Sequence, residues 1–108
     1  MKYLIAVDLE GAHGVVGEPY TGLKPGMAEY DSAVRNVTEE VNAAIDALFD
    51  SGADEVFVWD NHGNLDNLDF SVVDGRAKKV KPQNNSTLRL EFLKGAGYDG
   101  MAFIGYHA

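Results

Sequence analysis

The sequence predicts an α/β fold, a mostly parallel sheet with flanking helices in a Rossmann-like, three-layer arrangement. Three observations lead there. Apolar runs at residues 3–7, 56–59 and 101–104 are continuous, the pattern of strands buried on both faces. A long amphipathic segment separates the first two runs. Strand, helix, strand in that order implies a right-handed crossover and therefore parallel pairing.

The first strand, Tyr3-Leu4-Ile5-Ala6-Val7, ends at Asp8. Residues 9–26 hold five glycines and two prolines and read as a long irregular loop. From 27 to 51, Tyr30, Ala33, Val34, Val37, Val41, Ala44, Ile45, Leu48 and Phe49 recur at spacings of three and four. That is one face of a helix, with Glu29, Arg35, Glu39, Asp46 and Asp50 turned outward and Gly52 placed to end it. Glu55-Val56-Phe57-Val58-Trp59 gives the second strand, ending at Asp60-Asn61-His62-Gly63. Residues 70–73 and 77–81 are short strand candidates about a turn at Asp74-Gly75. Residues 87–94 form a candidate helix capped by Ser86 and stopped at Gly95. A further buried strand at 101–104 leads into Gly105-Tyr106-His107-Ala108.

Composition narrows the function. The chain has 108 residues, one domain's worth, with nine Lys+Arg against 17 Asp+Glu and a formal charge of −8. With no basic patch to release counterions, nucleic acid is not an expected partner. No cysteine is present, which excludes a disulfide, a thiol nucleophile and any Cys-built zinc or iron–sulfur site. The run at 3–7 is too short for a signal peptide or a membrane span, so no membrane partner and a cytoplasmic location are expected. The glycines at 11, 14 and 17 lack the Gly-x-Gly-x-x-Gly spacing of a phosphate loop, and no Gly-x-Ser-x-Gly elbow occurs.

What remains is a set of metal-ligand types at strand ends: Asp8 and Glu10 after the first strand, His62 after the second, His107 after the last. Parallel strands bring their carboxyl ends to one edge, where ligands bind in open sheets. Asp8 and Glu10 are two apart, so an extended backbone points both the same way. Two carboxylates and two imidazoles suit zinc, manganese or iron. Each residue alone has an ordinary reading: a loop cap for Asp8, a solvated loop residue for Glu10, a hydrogen-bond partner of Asp60 for His62, a chain-end residue for His107. Their coincidence, in a chain with three histidines, favours a metal site. His13, in the glycine-rich loop, reads as an exposed loop histidine.

These residues also carry a resemblance. Val7-Asp8-Leu9-Glu10-Gly11 resembles the Val-Asp-Met-Glu-Gly opening of the zinc-dependent D-aminopeptidases of the DppA type. The similarity runs collinearly from residue 3 to 108. It passes through Thr38-Glu39-Glu40-Val41-Asn42-Ala43-Ala44-Ile45, Ser51-Gly52-Ala53-Asp54-Glu55-Val56, Asp60-Asn61-His62-Gly63 and Asn67-Leu68 to Phe103-Ile104-Gly105-Tyr106-His107-Ala108. It implies a dizinc aminopeptidase that removes N-terminal D-residues from short peptides, with Asp8, Glu10, His62 and His107 as metal ligands. By the same analogy Asp60 stands behind His62 and holds it in one tautomer. Two positions depart: members usually carry a small residue at His13 and Ser or Ala at Asn61. Members are also longer, which implies that this chain is the N-terminal part of one domain truncated on its C-terminal side, with the catalytic residue beyond Ala108.

The expected partners are short, D-amino-acid-containing peptides and further copies of the chain. Two alternatives stay open: a non-catalytic metal-binding or assembly domain, and another dinuclear metallohydrolase such as a phosphoesterase. The net acidity weighs against anionic phosphoesters. An apolar last strand left at an open edge predicts self-association.

Overall fold

The computed structural model describes residues 1–9, 11, 26, 28–61, 67–80 and 97–106. Its elements run β1 (Lys2–Val7), α1 (Ala28–Asp50), β2 (Glu55–Asp60), β3 (Lys78–Lys79) and β4 (Gly100–Ile104). All strands are parallel, in the order β3-β2-β1-β4. The α/β class and the parallel sheet are therefore as the sequence predicts.

β1 is central, and its apolar run is explained by burial on both sides. Ile5 and Val7 face the cluster that includes Val37, Val41 and Ile45 of α1. Leu4 and Ala6 face the opposite side, with Trp59 and Val80. On α1 the buried positions are Tyr30, Ala33, Val37, Thr38, Val41 and Ile45, while Glu29, Arg35, Glu39, Asp46 and Asp50 are exposed. Each fully buried Val or Ile contributes about 1.5–3 kcal/mol. The helix stops where expected: Gly52 takes φ 102°, and Ala53 N–H reaches Leu48 O (3.0 Å) while Gly52 N–H reaches Phe49 O (3.1 Å). Those two bonds make a Schellman cap.

Three expectations need correction. Residues 70–73 are a turn, not a strand. The Asn42 side chain on α1 draws the segment away from a ladder, donating from Nδ2 to Val72 O (3.0 Å) and accepting from Asp74 N–H at Oδ1 (2.7 Å). Local bonds assist, since Asp69 accepts from both the backbone and the hydroxyl of Ser71. Of the strand candidate 77–81, only Lys78–Lys79 pair with β2, both exposed; Lys81 lies outside the described residues. The run at 101–104 is half-buried rather than enclosed. Within the described sheet β4 neighbours β1 alone, so Ala102 and Ile104 pack on the core while Met101 (38%) and Phe103 (63%) are exposed.

The helix candidate at 87–94, with Ser86 and Gly95, lies outside the described residues. Among the described residues one helix layer is present, α1 on one face. No helix among them is long and apolar enough to cross a membrane.

Candidate metal centre

The strand register brings three chain ends to one level. Val7 pairs with Asp60 of β2 on one side and Ile104 of β4 on the other. β1, β2 and β4 thus finish together, at the carboxyl edge where an open parallel sheet binds ligands.

Of the residues singled out from sequence, Asp8 and Asp60 are described; Glu10, His13, His62 and His107 lie outside the described residues. Asp8 is half-buried at the end of β1. Its N–H donates to Ile104 O (2.9 Å), and its Oδ1 accepts from Leu9 N–H (2.8 Å). Among the described residues no group of three or more His, Asp or Glu side chains converges.

The residues beside the other candidates are bound to one another. Asn61, which precedes His62, donates its N–H to Val7 O (2.9 Å). Gly11, which follows Glu10, donates its N–H to Gly105 O (2.8 Å). A Cβ on Gly11 would stand 2.0 Å from the Tyr106 carbonyl oxygen, so only glycine allows this approach to the residue preceding His107. Gly105 is required as well: at φ +73° its Cβ would meet Asp8 O at 2.1 Å and Val37 Cγ2 at 3.2 Å. Finally, Asn61 Nδ2 donates to the Tyr106 hydroxyl (2.8 Å), joining the ends of β2 and β4 across β1.

Asp60 is 3% exposed and anchors the chain where it returns after residue 66. Its Oδ2 accepts from the backbone N–H groups of Asn67 and Leu68, the second at 2.7 Å, and its Oδ1 from Asn67 Nδ2 (2.9 Å). Asn67 Oδ1 in turn accepts the Tyr30 hydroxyl (2.7 Å) from α1. Asn61 is therefore fixed to the end of β1 and Asn67 to the end of β2.

Sequence reasoning missed these supports. It read Tyr30 as an apolar helix position, and it had no sign of the Asn61–Tyr106 bond beyond Asn61 being an unusual residue at its place. The signal for Gly11 and Gly105 was available: each glycine stands one or two residues from a candidate ligand.

Some carboxylates away from these strand ends are held low by their neighbours. Hydrogen bonds from the Arg76 guanidinium and backbone, with its charge, hold Asp74 down to about 2. The N-terminal ammonium lowers Asp54, and Lys78 lowers Glu55.

The donor types expected from sequence at Asp8, Glu10, His62 and His107, oxygen and nitrogen without thiolate, are ones that suit zinc. Comparison with known proteins points the same way. A family model described as D-aminopeptidase matches residues 1–108. A D-aminopeptidase of Bacillus subtilis (strain 168) is 31% identical over 108 residues, covering 100% of this chain and 38% of the relative. The solved structure of the Zn-dependent D-aminopeptidase DppA from Bacillus subtilis, a self-compartmentalizing protease, superposes with TM-score 0.82 at 29% identity, again over 100% of this chain and 38% of that one. The chain thus spans well under half the length of the relatives it matches.

Proposed function

The chain belongs to the D-aminopeptidase family, and from that membership we propose that it carries the N-terminal part of a zinc site for releasing N-terminal D-amino acids from short peptides. The ligands are Asp8, Glu10, His62 and His107, and the complete site takes two zinc ions. The observation that supports this reading most is the shared level of the β1, β2 and β4 ends, with the neighbours of all four residues tied together there.

Bound zinc would supply a Lewis acid that polarises the scissile carbonyl. The chain's own residues bind and orient. Asp8 and Glu10 bring anionic oxygen, and His62 and His107 bring neutral imidazole nitrogen. Asp60 supports the strand end by holding the backbone N–H groups of Asn67 and Leu68 and the Asn67 side chain. The formal charge of −8 draws the peptide's N-terminal ammonium and repels phosphate esters, which favours a peptide substrate. We further propose self-assembly, supported by Met101, Phe103 and Tyr106 exposed on and beside β4, the outer strand of the described sheet.

The test is amino-acid release from D-alanyl and L-alanyl dipeptides, with zinc present and after chelation. Zinc-dependent release of D-alanine over L-alanine is expected. Hydrolysis indifferent to chelation or to configuration contradicts the reading. Tight zinc binding without any hydrolysis favours a non-catalytic metal-binding domain instead.

A further inference from the structure

We draw no further inference here: the strongest candidate, the exposed apolar patch of Met101, Phe103 and Tyr106 on and beside the outer strand β4, carries nothing beyond the self-assembly already proposed, because nothing in the structure shows what covers it.

Discussion

At the amino edge of the sheet exposed charges add to the backbone ties, whereas at the carboxyl edge two glycines bring backbone against backbone. On the amino side the N-terminal ammonium meets Asp54, whose side chain is 82% exposed, and Lys78 meets Glu55 at 2.9 Å. Lys2 Nζ lies over the rings of Phe57 and Tyr98, at 5.1 and 4.8 Å from their centroids. Arg76 bridges Asp74 and Asp46 beside the start of β3. On the carboxyl side the ties described are amide to carbonyl, carboxylate to backbone N–H, and one carboxamide to phenol. Solvated ion pairs are worth little and tolerate change. Buried hydrogen bonds and sub-van-der-Waals approaches tolerate almost none. The difference shows where the fold keeps its geometry strict: at the end that carries the candidate ligands.

Two glycines put that contrast to its hardest test. Gly105 and Gly52 both have positive φ, 73° and 102°. At Gly52, on the amino side, an added Cβ meets nothing within 4 Å, so Gly52→Ala should cost only the left-handed backbone penalty of about 1–2 kcal/mol. At Gly105 the same penalty comes with a 2.1 Å clash on Asp8 O, and Gly105→Ala should lose about 3 kcal/mol or more. Urea denaturation of the two variants measures both, and equal losses would erase the contrast.

Asp60→Ala comes next. It strands two backbone N–H groups and the Asn67 amide in a buried site, with an expected loss of about 2–4 kcal/mol in the same titration. A loss below about 0.5 kcal/mol, typical of a surface position, would show that the 67–68 turn does not need its anchor.

Smaller effects belong to the amino side. Lys78→Ala should leave the urea midpoint within experimental scatter, because its ion pair with Glu55 is solvent-exposed. Acid should act here too. Asp74 is held down to about 2 by Arg76, against an ordinary 3.8, so its contribution is fully present above about 3.8 and is lost as pH falls through about 2. Asp74→Asn should remove that part of the acid dependence. A profile unchanged by the substitution would contradict the assignment.

The strictness of the carboxyl edge also explains what could be read from sequence. β1, α1 and β2 were legible because their burial follows a simple period: both faces for β1, every third or fourth residue for α1. The four candidate ligands were legible because strand ends are visible wherever an apolar run meets a polar residue. Residues 70–73 were not, since Val72 and Val73 have strand-like composition while Asn42, some thirty positions earlier, decides their conformation. The exposed side of β4 was equally hidden, because exposure there follows from strand order and not from the residues themselves. For the same reason the Asn61–Tyr106 bond could not be foreseen: it needs β1 to lie between β2 and β4.

We propose that these strand ends hold zinc through Asp8, Glu10, His62 and His107. Zinc content after gel filtration, measured for the parent chain, Asp8→Ala and His62→Ala, tests it most directly. The parent should retain zinc and each variant should lose it; retention of the parent's full zinc content by both variants would contradict the claim.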